Sequence, residues 1–185
     1  MPLAATCQVT PARGSRSADR GDEPYKWEAF AGFGYTSLNQ VNQSRSGLMG
    51  ANLSITRDWG KYFGLTADGA YYKYAIVSGN PGKPSVDAVL FGPVVHGQLF
   101  GKLSGFAHGL LGGEHTGGEN QTPNISFAGG IGGGMEYKLG PRLSLRASGD
   151  DIASSFSLIN NTPALGYSPH LHWNSRAAFG VVYRF

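Results

Sequence analysis

The five histidines and the one cysteine are the first residues of this sequence to consider as ligands of a metal ion. His170 and His172 have a spacing that a strand could use to present two ligands, but they follow Pro169 in a polar segment, and no third ligand stands at a matching distance. The lone Cys7 excludes an intrachain disulfide and a cysteine-based zinc site. We therefore predict no metal site and no cofactor.

A second group of chemically capable residues consists of charged side chains set among small ones. They are four acids and two bases: Glu28, Asp68, Glu136, Asp150, Arg146 and Arg176. Opposite charges of this kind can neutralise one another in a closed interior, or they can line a gated pore. Which of the two applies depends on the elements that carry them.

Composition and length limit the class of protein. The chain has 185 residues, of which 15% are charged, well below the roughly one quarter that is usual in water-soluble domains. Its 15 Lys and Arg residues are scattered, so the net charge of +3 does not indicate nucleic-acid binding. Residues 1–24 are polar and have no hydrophobic period, which predicts a flexible tail without a convincing signal peptide, followed by one domain over 25–185.

From Tyr25 onward, apolar and small or polar residues alternate with the period of two that is typical of β-strands. Eight such segments can be counted. Short turns are predicted at 57–61, 100–102 and 139–142, and long loops at 36–47, 75–85, 113–123 and 155–172. Short turns on one side and long loops on the other are typical of an eight-stranded antiparallel up-and-down transmembrane β-barrel. Pro93, in the middle of the fourth strand, predicts a bulge or bend.

Residue chemistry indicates which face of the predicted barrel is the outer one. The polar face is rich in glycine, with Gly130, Gly132 and Gly134 in one strand, and a surface facing water would not be built from glycines with so few charges. As the lining of a narrow barrel, small residues leave room for long side chains, so the six charged residues are predicted to form an interior network rather than a pore. Aromatic residues at both strand ends, Tyr72 among them, predict two interfacial girdles.

The last seven residues and several internal phrases carry a family resemblance. The chain ends in Phe179-Gly-Val-Val-Tyr-Arg-Phe185, and the phrases Leu90-Phe-Gly-Pro93, Gly132-Gly-Gly134 and Leu143-Ser-Leu-Arg146 resemble those of small OmpA-like outer-membrane β-barrel domains of Gram-negative bacteria. The resemblance covers about 25–185. It implies a location in the outer membrane, contact with its lipids, and a terminal signal read by the barrel-insertion machinery. The signal residues would be Phe179, Val181, Tyr183 and Phe185.

Together these features predict a structural or surface-interaction protein that acts through four long extracellular loops and is not a wide diffusion porin. The partner of the loops is not indicated by the sequence. A soluble ligand-binding β-barrel, or calyx, is the alternative, with the polar face outward. A lipid-modifying outer-membrane enzyme is a second alternative, and it would need a His and a Ser two residues apart on the lipid-facing side of a strand. Here the residue two positions after His172 is Asn174, and Ser175 lies on the opposite face. We predict that the protein is not an enzyme.

Overall fold

A computed structural model describes residues 26–39, 45–77, 84–118, 124–154 and 172–185. These residues form eight β-strands and no helix. The strands are β1 (Trp27–Asn39), β2 (Arg45–Asp58), β3 (Phe63–Val77), β4 (Pro84–Phe100), β5 (Leu103–Gly118), β6 (Asn124–Lys138), β7 (Leu143–Ser154) and β8 (His172–Arg184). In this part of the chain no helix is long and apolar enough to cross a bilayer. The predicted tail, 1–24, lies outside the described residues, as do His170 and the side chain of His172.

The strands close into a barrel in which each pairs with its neighbours in the sequence, all antiparallel, and β1 pairs with β8. Closure leaves no exposed strand edge, so the backbone hydrogen bonds are satisfied within the barrel. The first and the last strand meet at the turn end of the barrel, where the amide of Phe185 donates to the carbonyl of Trp27 at 2.9 Å. The predicted all-β, eight-stranded antiparallel architecture is confirmed.

Alternation along each strand separates an inner from an outer face. Along β2, for example, Asn52 and Thr56 are buried while Leu53 and Ile55 are exposed. Along β6 the exposed side chains are Ile125, Phe127, Ile131, Met135 and Tyr137. Large apolar side chains thus cover most of the outside of the barrel, and eight Asp, Glu and Arg side chains are buried inside it.

The connections differ in length from those predicted. The turns 59–62, 101–102 and 139–142 are short as expected, and Gly60 and Gly101 adopt positive φ angles of 82° and 55° in two of them. At the other end, however, strands occupy much of the segments predicted as loops, which leaves only 40–44, 78–83 and 119–123 between them. Residues 155–171 form the one long connection. The prediction of four long loops is therefore wrong for three of them.

Pro93 does not produce a bulge. The pairing of β4 with β5 keeps one register on both sides of it, from Phe91 with Leu111 to Val94 with His108. The register shift in this pair lies instead between Gln98 and Phe100, next to the turn. Pro93 points outward, so its ring reaches the outer surface of the barrel.

Candidate functional site

The inner end of the barrel near the short turns holds a cluster of two carboxylates and two arginines. Register places Glu136 opposite Arg146 and Glu28 opposite Arg184, all on inward positions. Arg146 donates to Glu136 through Nε at 2.9 Å and to both Glu28 and Glu136 through Nη2. Arg184 donates to Glu136 and, at 2.7 Å, to the Ser144 hydroxyl. We call these five residues the turn-end cluster.

A second cluster lies further toward the loop end and is centred on Arg176. Its Nη1 donates to Asp68 at 2.6 Å and its Nε to Asp150 at 2.7 Å. His108 Nε2 lies 2.7 Å from the other Asp150 oxygen, and Asn52 donates to Asp68 at 3.1 Å. We call these five residues the central cluster. Because each carboxylate contacts at least two polar groups, its charge is compensated despite its burial.

Two phenylalanines separate the clusters. The Arg146 guanidinium stacks over the Phe106 ring at 4.7 Å and over the Phe30 ring at 5.4 Å, which are cation–π contacts. The cavity between the clusters measures about 20 Å³. A space of that size holds about one water molecule. The lumen is therefore packed with side chains here.

The loop half of the lumen holds two groups of buried apolar side chains, Leu48, Ala70, Tyr72, Val86 and Ala88 in one and Leu90, Leu110, Ala128 and Ile152 in the other. Buried polar side chains, Glu114, Thr116 and Ser126 among them, lie in the same half. Tyr72 belongs here with 2% exposure, so its assignment to an outer aromatic girdle is wrong. Tyr72 alternates with the exposed Tyr71 and therefore points inward, although both residues lie near the loop end of β3.

All six charged residues predicted for the barrel interior are buried there and contact one another in the two clusters. Of the pair Asp150 and Asp151, the first points inward, and the second lies outside, accepting a hydrogen bond from Ser175 at 2.7 Å. Sequence reasoning missed Arg184, although it occupies one of the inward-facing alternate positions of β8. It also missed His108, because the nearly uninterrupted apolar character of β5 gave no clear facing.

Glycine lines the wall beside the central cluster because side chains from the next strand need the space. A Cβ on Gly132 would lie 2.0 Å from an Asp150 carboxylate oxygen and 2.7 Å from the Gly149 carbonyl. Gly34 is similarly covered by the Tyr72 ring. These close approaches explain the glycine-rich inward face.

The residues of the terminal motif all face outward. Phe179, Val181, Tyr183 and Phe185 are between 41% and 59% exposed, and the Tyr183 and Phe185 rings stack at 6.4 Å. Asn174, by contrast, is buried and donates to Ser154 at 3.2 Å. Within the described ranges, no group of three or more His, Cys, Asp or Glu side chains is arranged to hold a metal ion.

Neither a protein-family model nor a curated protein sequence matches this chain. Several solved structures do match in fold. Neisserial surface protein A superposes with a TM-score of 0.67 at 10% identity, over 86% of this chain and 97% of that one. The attachment invasion locus protein Ail of Yersinia pestis gives 0.58 at 16% identity, over 87% and 99% of the two chains.

The outer membrane protein OprG of Pseudomonas aeruginosa gives a TM-score of 0.50 at 13% identity, over 90% of this chain and 98% of that one. Each of these structures is covered nearly over its full length, so the match includes the whole barrel. The chain thus has the fold of the small outer-membrane β-barrels.

Proposed function

We propose that the protein is an integral barrel of the Gram-negative outer membrane with a structural or surface-interaction role, without enzymatic activity and without a wide pore. One observation carries this proposal: the two charged clusters lie inside the barrel, while large apolar side chains cover most of the outside. Phe33, Phe127 and Ile131 are 79%, 70% and 67% exposed. An apolar surface of this extent is covered by lipid in a barrel that spans a membrane.

The aromatic residues at the two ends of this surface support the same orientation. Exposed Trp27, Tyr62 and Tyr183 lie at the turn end, and exposed Tyr35 and Trp173 lie at the loop end. Such residues favour the boundary between lipid and water. A soluble calyx would require the reverse arrangement, with an apolar pocket inside and charges outside.

Gel mobility of the detergent-refolded protein, heated against unheated, tests the membrane barrel. We expect a heat-dependent shift and retention in detergent, because a closed barrel keeps its compact shape until it is heated. A protein that stays soluble without detergent and shows no shift would overturn the proposal.

Recognition of the terminal motif by the insertion machinery is part of the proposal and needs its own test. We expect Phe185→Ala to reduce insertion in cells while leaving refolding in detergent unchanged, since the backbone bonds of Phe185 with Trp27 remain. The control is Leu143→Ala, an outward residue next to Tyr183 but outside β8. Equal insertion of both variants would contradict a role for the motif.

The surface-interaction role is assigned to the connections at the loop end, and above all to 155–171. A structure of Ail holds the heparin analogue sucrose octasulfate, which makes this compound a suitable first probe. Binding of the probe to the full chain is compared with binding to a variant in which 157–169 is replaced by a short turn. Binding that survives the replacement would assign it to another part of the surface.

A further inference from the structure

An apolar groove of about 530 Å³ runs along the outer wall of the barrel. Its floor is made by Ala29 and Ala31 of β1. Larger side chains stand on either side, Leu53 and Ile55 of β2 and Val181 and Tyr183 of β8. The register explains the shape, because the small Ala31 is paired with Leu53 on one side and with Val181 on the other.

A cation stands at the turn end of this groove. Arg57 follows Ile55 by two residues on the same outward face of β2 and is paired with Trp27. Its guanidinium lies 5.3 Å from the Trp27 ring centroid and 5.6 Å from that of Trp59. Arg57 is exposed. In the part of the chain that the structure describes, no carboxylate forms an ion pair with it.

We propose that the groove binds one acyl chain of an anionic phospholipid whose phosphate is bound by Arg57. This inference rests on the proposed membrane location, with the turn end on the periplasmic side and the lipid in the inner leaflet. A guanidinium can donate two parallel hydrogen bonds to a phosphate. The two tryptophans hold it at the height where lipid headgroups begin.

Charge favours a lipid over a second copy of the chain as the occupant. Two copies in one membrane share the same orientation, so each would bring its own Arg57 to the same height at the contact. The like charges would repel each other there. A phospholipid instead offers a chain for the alanine floor and a negative group for the arginine.

The test uses fluorescence of Trp27 and Trp59, with Trp173→Phe as the background, since the chain has three tryptophans. The protein is reconstituted in phosphatidylcholine vesicles that contain increasing amounts of a brominated lipid. This lipid is either phosphatidylglycerol or phosphatidylcholine, and it carries bromine near the carboxyl end of its acyl chain. We expect brominated phosphatidylglycerol to quench at a several-fold lower mole fraction. Arg57→Gln should abolish this preference, whereas Lys102→Gln, at another turn of the same end, should keep it.

A second pair of variants tests the groove itself. Ala31→Leu fills the floor and should raise the mole fraction needed for quenching by either lipid. Ala107→Leu makes the same change on an exposed position of β5, between Val95 and Gly133, and should have no effect. Equal quenching by the two lipids in the parent protein would overturn the lipid site, as would equal behaviour within either pair of variants. A dimer cross-linked through Ala31→Cys, in a protein whose native Cys7 is changed to Ser, would also overturn it. The heat-dependent shift of each sample shows separately whether the barrel has formed.

Discussion

At the residue scale, Arg146 holds two carboxylates in the turn-end cluster, and its loss would leave Arg184 to neutralise both. Breaking a buried ion pair on one side costs about 3–5 kcal/mol. We therefore expect Arg146→Met to lower the free energy of unfolding by that amount, measured by urea titration in lipid vesicles. Lys102→Met, on an exposed turn, is the control.

A double variant distinguishes unpaired charge from lost packing. Because Glu136→Gln removes the one carboxylate charge that is then in excess, adding it to Arg146→Met should recover part of the lost stability. If the double variant is less stable than Arg146→Met by the full effect of Glu136→Gln alone, the two side chains do not interact energetically.

Gly132 leads to a second prediction at this scale. Its added Cβ would meet both the Asp150 carboxylate and backbone, so Gly132→Ala must displace the central cluster. Overpacking of this kind costs roughly 1–3 kcal/mol, again measured as the free energy of unfolding. Gly109→Ala is the matched control, because no atom lies within 4 Å of its Cβ position. Similar losses for the two variants would contradict the steric explanation.

At the scale of the strand, exposure of the outer face to lipid predicts an effect that depends on depth. Phe33 stands in the middle of β1 and is paired with Ala51 and Phe179, whereas Tyr137 is near the turn end of β6. We expect Phe33→Arg to destabilise the barrel by about 2–4 kcal/mol and Tyr137→Arg by about 0–1 kcal/mol. The measurement is unfolding from vesicles, and equal effects at the two positions would contradict a bilayer centred on Phe33.

The strands also show what could be predicted from the sequence. Clear alternation, as along β2 and β6, gave the strands and their facing. Alternation does not indicate the facing of a strand whose two faces have similar residues. In β5, Leu110 stands beside Leu111 among many glycines, so the inward position of His108 could not be predicted. Loop bounds were wrong because alternation continues in polar residues such as Glu114 and Thr116, which belong to β5 but have the composition of a loop.

Alternation along the strands does not predict which charged side chains of the interior form ion pairs with one another. The contact of Glu28 with Arg146 joins residues far apart in the sequence, on β1 and β7, which are separated in the barrel by β8. It depends on the closure of the barrel and on the relative stagger of all eight strands. Alternation along a strand predicts which side chains point into the lumen. Which of these side chains contact one another depends on how the eight strands close into the barrel.

At the scale of the whole molecule, the lumen is closed twice along its length. The turn-end and central clusters fill one half, and Leu90, Leu110 and Ile152 with their apolar neighbours fill the other. Because each half closes the lumen by itself, we expect the barrel to stay closed when the side chains of only one half are removed. We expect vesicles containing the parent protein to swell in isotonic sugar no faster than empty vesicles, and Arg146→Ala with Glu136→Ala to behave like the parent.

Swelling should begin only when both halves are opened, by adding Arg176→Ala, which removes the centre of the central cluster, together with Leu90→Ala and Leu110→Ala to that pair of changes. The heat-dependent gel shift must be retained in each sample, so that a collapsed barrel is not mistaken for a closed one. Swelling of vesicles that contain the parent protein, or the variant changed only in the charged half, would show that the apolar side chains of the loop half do not close the lumen. Either result would contradict a lumen without a diffusion path.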